Sequence, residues 1–431
     1  MNDDRRRALG ELVAAYAGRR PGWAGWEPTT LRIIDAQPVV PGRPGIVDVV
    51  AEADGRVVHL PLGLRAPGDE ARFVDGAEDP VLGLYEDADG LAVAFDALHD
   101  AELAAALVRV LALEPAAPAL VRVVQVDDQA TVVAADDRLC LTVFNDVGLV
   151  SRPGVETLVA LDEAGFNHLA APVAVWRRAG RDLGIVQEYL PGASDGWALA
   201  LTSVRDLYAA GGAPEAAGGD FGTEAHRIGT MAARMHLALD RAFGRERDVA
   251  ERCADAVEAV VAEHAPELLE RAGVDELLGK VRALEVPLHA IRTHGDFGLG
   301  VVRRTEQGWY VADFPSAPPV ARAGALERRE PNAAMPRSPL ADVADMLWSF
   351  GRVAVVAAEE RDPSGREGLR ELADAWERRN RRAFFAGYLG VPGISGLVPP
   401  GHDAVQLLST CFELERTAMA RSHDAGAASA S

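Results

Sequence analysis

The hydrophobic pattern of the chain changes once, at Pro191-Gly192. Before that pair the apolar residues fall in short runs set off by Gly, Pro and Asp, the pattern of strands and tight turns. After it they recur at three- and four-residue spacing over long stretches, the pattern of helices packed on one face. A chain of this kind is α+β, with a strand-rich first part and a helical second part. It is not a regular alternation of strand and helix. With 431 residues, 48% of them apolar, it has material for two or three domains and a large core.

The strand-rich part itself divides. Residues 8–18 form a first helix; runs at 30–34, 45–53 and 56–62 read as strands, with Asp54-Gly55 a hairpin turn between the last two. A fourth strand at 91–95 leads through Asp96-Ala97-Leu98-His99-Asp100 into a helix ending near Leu113, with Asp100 as its N-cap. Glu114-Pro115-Ala116-Ala117-Pro118 closes this module. A second begins with strands at 120–126, 130–134 and 139–144. Pro153 opens a helix from Val155 to Glu163 with Glu156 in its first turn, where an acid suits the positive end of the dipole. Strands at 173–177 and 183–190 complete it.

The helical part starts at Asp195–Tyr208 and continues, after a Gly/Ala/Pro loop, with a helix showing Ile228, Met231, Met235 and Leu239 on one face. A helical pair over 247–285 breaks near Ala265-Pro266 and Gly273. Next come a Gly-flanked loop at Asp296, a strand over 308–312, a Pro-rich loop over 315–339, and helices at 340–359, 364–388 and 403–421. The expected domains are 1–115, 116–191 and 192–423, with 424–431 a frayed, disordered tail.

Charge and cysteine content narrow the partners. The balance of 44 basic against 65 acidic residues, a net −21, repels nucleic acid and anionic membrane surfaces. Only one of the basic residues is a lysine, Lys280, so any chemistry that needs a lysine has a single candidate. Cys140, Cys253 and Cys411 are far apart and show no metal spacing, as expected of buried thiols in a reducing compartment. There is no apolar leader behind Met1 and no run of about 18 apolar residues, so the expectation is a soluble, cytoplasmic protein.

The residues that carry chemistry lie in Thr293-His294-Gly295-Asp296-Phe297-Gly298-Leu299-Gly300-Val301 and Trp309-Tyr310-Val311-Ala312-Asp313-Phe314. Asp296 sits in a tight loop after a helix, and Asp313 ends an apolar strand. Two acids on neighbouring loops suit phosphoryl transfer, one as the base for an attacking hydroxyl and one as a metal ligand. The same residues are equally compatible with a turn and a strand cap.

Their setting resolves that ambiguity through a resemblance. Leu141-Thr142-Val143-Phe144 running to Pro153-Gly154-Val155-Glu156, Gln187-Glu188-Tyr189-Leu190-Pro191-Gly192 with Asp195-Gly196-Trp197, Met235-His236-Leu237-Ala238-Leu239 and Ser338-Pro339-Leu340-Ala341-Asp342-Val343-Ala344 occur in this order around the two aspartates. Together with Pro61-Leu62 and the 96–100 segment, they make nearly the whole chain resemble the maltokinase and actinobacterial glucosamine kinase branch of the aminoglycoside-phosphotransferase-like kinases. The resemblance implies a bilobal protein-kinase-like fold, with an N-terminal cap domain, a small β-rich lobe and a large helical C-lobe. It makes Asp296 the catalytic base, Asp313 a magnesium ligand, Glu156 the helix glutamate of the nucleotide side, and Gln187, Glu188, Tyr189 and Leu190 the hinge. ATP and magnesium would be the cofactors and a small sugar the substrate.

Several positions depart from that pattern, and all of them bear on phosphate or metal. Thr142 stands where the family has its phosphate-binding lysine, and Asn145 and Asp146 where it has a basic pair. Val301 replaces the metal-ligating amide and Gly298 the loop histidine. Pro315, Ser316 and Ala317 fall where acids follow the second aspartate. An arginine such as Arg122 or Arg138 would have to compensate. Two readings follow: a sugar or amino-sugar kinase with a reworked phosphate site, or a pseudokinase that binds a ligand or protein partner without phosphoryl transfer.

Other signals are weaker. Gly192-Ala193-Ser194-Asp195-Gly196 fits the nucleophile-elbow pattern, but Pro191 disturbs the required turn and no parallel α/β alternation surrounds it. A hinge loop with Ser194 capping a helix explains it as well. Trp197 and Trp348 are candidate sugar platforms, whereas His236 reads as a packed helix residue. Glu377-Arg378-Arg379-Asn380-Arg381-Arg382 reads as a solvated helix face.

Overall fold

The computed structural model describes residues 3–430, apart from 21, 22, 24, 25, 27, 29, 30, 70–79, 128, 149–151, 217, 218, 316–335 and 362–365. These fall into two compact units. One holds the described residues of Met1–Glu156 and Ala170–Pro191; the other holds those of Thr157–Leu169 and those from Gly192 onward.

The first unit opens with α1 (Asp3–Ala17), followed by β1 (Arg32–Val40), β2 (Gly45–Ala53), β3 (Arg56–Arg65), β4 (Val81–Asp87) and β5 (Gly90–Asp96). They make an antiparallel sheet in the order β1-β2-β3-β5-β4. The Asp54-Gly55 turn joins β2 to β3 as read from the sequence, with both residues at positive φ. Leu9, Val13 and Tyr16 of α1 pack with Ile33, Val49, Leu60 and Leu62 of the sheet in one buried cluster. Gly10 permits the approach, since a Cβ there would lie 2.1 Å from the Leu31 carbonyl oxygen. Strand β4 was not foreseen: its run Val-Leu-Gly-Leu-Tyr lacks clean alternation, and its register against β5 shifts at Gly83.

Asp100 caps α2 (Ala101–Leu111) as expected, accepting from the backbone N–H of Glu102 and Leu103 at 3.0 Å each. Arg65 grips the same buried carboxylate through two N–H bonds, at 3.0 and 3.1 Å. The second sheet comprises β6 (Val121–Val126), β7 (Ala130–Ala135), β8 (Leu139–Phe144), β9 (Pro172–Arg178) and β10 (Arg181–Glu188), in the order β6-β7-β8-β10-β9. Helix α3 (Pro153–Glu163) lies between β8 and β9 in sequence.

Backbone bonds stitch the two sheets together. The His59 N–H donates to the Asn145 carbonyl at 3.0 Å, and the Val147 N–H to the Val57 carbonyl at 2.9 Å. A buried polar cluster reinforces the seam: Asp48 pairs with both His59 and Arg178, and Trp176 meets the His59 ring edge-on at 4.9 Å. A carboxylate buried to this degree needs such partners, because an unpaired buried charge is strongly destabilising. Residues 1–115 and 116–191, apart from Thr157–Leu169, therefore fall in one compact unit.

The second unit runs β11 (Ser194–Asp195), α4 (Gly196–Ala210), α5 (Gly222–Phe243), β12 (Arg245–Asp248), α6 (Ala250–His264), α7 (Val274–Arg282), β13 (Leu288–Ile291), β14 (Val302–Arg304), β15 (Trp309–Val311), α8 (Leu340–Arg361), α9 (Arg366–Leu389) and α10 (His402–Ala430). Phe221, Phe350, Trp376, Phe384 and Tyr388 make its aromatic core. Burying each such ring contributes about 1.5–3 kcal/mol. Helices α5 and α9 touch backbone to backbone, since a Cβ on Gly229 would sit 2.1 Å from the Phe384 carbonyl oxygen.

Three expectations in this unit need correction. The Asp296 loop follows strand β13, not a helix; the four-residue run Leu288–Ile291 pairs with β12 and is too short to show a period. Asp195, not Ser194, caps α4, accepting from the Ala198 N–H at 3.1 Å. Segment 424–430 continues α10 instead of fraying, consistent with its alanines, which are strong helix formers.

Candidate active site

The His294-Gly295-Asp296 loop is built on a buried carboxylate. Asp342 lies in the first turn of α8 and is fully buried. It accepts the His294 N–H at 2.7 Å on Oδ2 and the Gly295 N–H at 2.9 Å on Oδ1. His236 of α5 hydrogen-bonds through Nε2 to the same Oδ2 at 3.1 Å and through Nδ1 to the Tyr388 hydroxyl at 2.8 Å. Burial by itself would raise the Asp342 pKa; the hydrogen bond and charge of His236, the charge of His294 and the Gly295 N–H together hold it below the usual carboxylate range. Burial, helped by the Asp342 charge, pushes the Tyr388 phenol well up, so it keeps its proton. His236 is thus a packed helix residue, as read, and also carries a structural hydrogen bond.

From this anchor the loop is fixed in both directions. His294 Nε2 donates to the Ala312 carbonyl at 3.2 Å, tying the loop to the segment that leads to Asp313. The Ala312 N–H returns to the Val301 carbonyl at 2.8 Å. The Leu299 N–H donates to Ser349 Oγ at 3.2 Å. The two acids singled out from the sequence therefore sit on hydrogen-bonded neighbouring segments. Asp296 is 53% exposed and Asp313 63% exposed, the latter two residues past β15 with φ at +55°. Aspartate tolerates that left-handed conformation better than most residues.

Each acid has an arginine that the sequence did not single out. Arg416 of α10 forms an ion pair with Asp296, Nη2 to Oδ1 at 2.9 Å, and its guanidinium lies 5.2 Å from the Trp348 ring centre. Arg303 of β14 bridges two carboxylates, Asp313 Oδ2 at 3.0 Å and Asp195 Oδ2 at 2.9 Å, and also donates to the Gly300 carbonyl. Trp348 is occupied by this arginine contact, which weakens its claim as an open sugar platform. Beside Arg416, Asp345 is pushed well above the carboxylate range by burial, against the opposing charge of Arg416, with Asp342 and Asp296 adding to the rise.

The nucleotide-side residues lie in the first unit, with Glu156 at the junction. Thr142 is on the central strand β8, paired with Val132 and Ile185. Glu156 is exposed in the first turn of α3. In the predicted hinge, Gln187 donates its side-chain amide to the Ala170 carbonyl at 3.0 Å. The Glu188 and Tyr189 N–H groups donate to the Ala171 and Arg138 carbonyls at 2.9 Å each; Leu190 lies two residues past β10. Asp146 pairs with Arg56, and Asn145 bonds the Asp127 carbonyl. Arg122 pairs with Asp137 and the Tyr189 hydroxyl, and Arg138 with Glu114. Lys280 is exposed on α7, paired with Glu276 at 2.6 Å. Ser316 and Ala317 lie outside the described residues.

The sequence matches no protein-family model. It is 30% identical over 265 residues to a glucosamine kinase of Streptacidiphilus jiangxiensis, an alignment covering 56% of this chain and 55% of the relative. The chain thus matches about half the length of that curated relative. Among solved structures, a glucosamine kinase in complex with glucosamine, ADP and inorganic phosphate superposes over 95% of this chain and 93% of its own, with a TM-score of 0.60 at 22% identity. A second crystal form of glucosamine kinase gives 0.60 at 21% identity over 96% and 93%. This chain shares the fold of glucosamine kinase. The Asp296 loop and the strand before Asp313 are thus elements of that fold. No helix among the described residues is long and apolar enough to cross a membrane.

A glucosamine kinase fold with an aspartate at 313 implies a divalent cation, and the donor set does not fit one. The Val301 side chain has no ligating atom, Asp313 is already engaged by a guanidinium, and no three His, Cys, Asp or Glu side chains among the described residues group to hold a metal. Gly298 is not required by space, since a Cβ there would make ordinary contact with Ser349 at 3.6 Å.

Removing Asp342 should unfold the loop. Asp342→Ala is expected to cost about 3–5 kcal/mol in chemical denaturation, because His236 and two N–H groups lose a buried charged partner. Amide exchange should rise over 293–297 first; unchanged stability would contradict this role. Asp345 gives a pH signature. Its folded pKa lies above the unfolded value of 3.8, so the folded state holds the proton longer and stability falls as pH rises above that value. Asp345→Asn should therefore melt higher than the parent at neutral pH and equally at acid pH. A pH-independent difference would contradict the assignment.

Proposed function

We propose that this chain is a phosphotransferase of the sugar and amino-sugar kinase type, moving a phosphoryl group from ATP to a hydroxyl of a small sugar such as glucosamine. The observation that carries the reading is the Asp296 loop, pinned through His294 and Gly295 to Asp342 in the glucosamine kinase fold. Asp296 presents a half-exposed carboxylate whose Oδ1 is held by Arg416. A sugar hydroxyl gives its proton to that carboxylate as its oxygen forms the bond to the γ-phosphorus. The bond to the bridging oxygen breaks, and ADP leaves. Such a donor places the protein in the cytoplasm.

The alternative is a pseudokinase, and specific observations favour it: arginines hold both acids, and a threonine stands where a phosphate-binding lysine is expected. Turnover of ATP against a panel containing glucosamine, glucose and maltose separates the two. The kinase reading expects phosphorylation of one of them, cut by about 10²–10⁴-fold in Asp296→Asn with ADP affinity retained, the scale of a lost general base. Ligand binding without turnover establishes the pseudokinase. Turnover untouched by Asp296→Asn removes Asp296 from the chemistry.

A further inference from the structure

We propose that Arg303 is the built-in counter-ion of this site: its guanidinium takes the place of a divalent cation, and the site binds its nucleotide without one. The nucleotide part rests on the kinase reading; the metal part does not. The geometry is specific. Strand β14 pairs with β11 in a register that sets Arg303 opposite Asp195. Asp195 uses Oδ1 to cap α4, which leaves Oδ2 to accept from Arg303 Nη1 at 2.9 Å. From the other side Asp313, in its left-handed conformation, accepts from Arg303 Nη2 at 3.0 Å. The Gly300 carbonyl takes a further Nη1 bond and the Val302 carbonyl a long one at 3.4 Å, so four oxygens converge on one planar cation.

Converging oxygens are what a divalent ion would also seek, which is why the substitution works. Magnesium asks for near-octahedral oxygens at about 2.0–2.1 Å, whereas a guanidinium offers directed N–H donors in a fixed plane. The distances here are those of N–H···O bonds. A metal ion entering beside Arg303 would meet a like charge and compete for both carboxylates. The apolar Val301, at the position of a metal-ligating amide, belongs to the same change. Among the described residues the Arg303 Nε–H and the second Nη2 proton have no acceptor, and they remain for a phosphate oxygen.

The experiment is calorimetry on the full chain with two probes, manganese alone and ADP alone. Wild-type protein is expected to show no manganese binding. Arg303→Ala and Arg303→Gln should gain it by about tenfold or more, because Asp195 and Asp313 are released. ADP should bind wild type with affinities in EDTA and in magnesium that agree within about twofold. Manganese binding to wild type that Asp313→Asn abolishes, no gain in either variant, or a magnesium requirement of about tenfold or more for ADP would each overturn the proposal. Absence of ADP binding in both buffers would instead overturn the nucleotide reading, and the manganese titration would still decide the role of Arg303. The wild-type titration needs no variant to fold, and the glutamine variant keeps the bulk and polarity of the side chain.

Discussion

The buried carboxylate of Asp342 is the interaction on which the site depends. A charge out of water is tolerated only when every lone pair is answered. Here the answers come from α5 through His236, and from the loop through the His294 and Gly295 N–H groups. Each of these partners is placed by Asp342, and Asp342 is kept ionised by them. The same bonds decide where Asp296 points its side chain, one residue beyond Gly295, and the His294 bond to Ala312 carries the order on toward Asp313. A scaffold of this kind is costly to keep and fixes a loop with no regular secondary structure of its own.

Upon that scaffold lie two ion pairs of a different kind. Arg416–Asp296 and Arg303–Asp313 are partly exposed, so they add little to folding stability. Their weight is local: they set the charge a substrate meets. Burial raises the Asp345 pKa, and Arg416 lies between that group and Asp296. The bridge through Asp195 gives Arg303 a fixed seat instead of a wandering one.

Much of the frame was legible in the sequence because it depends on patterning. The change of period at Pro191-Gly192, the Asp54-Gly55 turn, the Asp100 cap and the apolar faces of α5, α8 and α9 are local signals that packing reinforces. The elements that escaped were those whose signal is non-local or short. Strand β4 is interrupted by Gly83 and exists through its pairing with β5. Strand β13 spans four residues and shows no period. In the site, His236 and Asp342 stood within recognisable segments, yet nothing local says that they meet across 106 residues. Arg303 and Arg416 had no signal at all: an arginine on a short strand and one of many on a long helix become informative only when the fold brings each to an acid.

The most direct test is a crystal structure of the full chain grown with ADP, glucosamine and magnesium. The account predicts a guanidinium between Asp195 and Asp313, with Asp296 facing the sugar and no metal ligated by Asp313. A magnesium ion bound to Asp313 and the phosphates, with Arg303 turned away from both carboxylates, would contradict it.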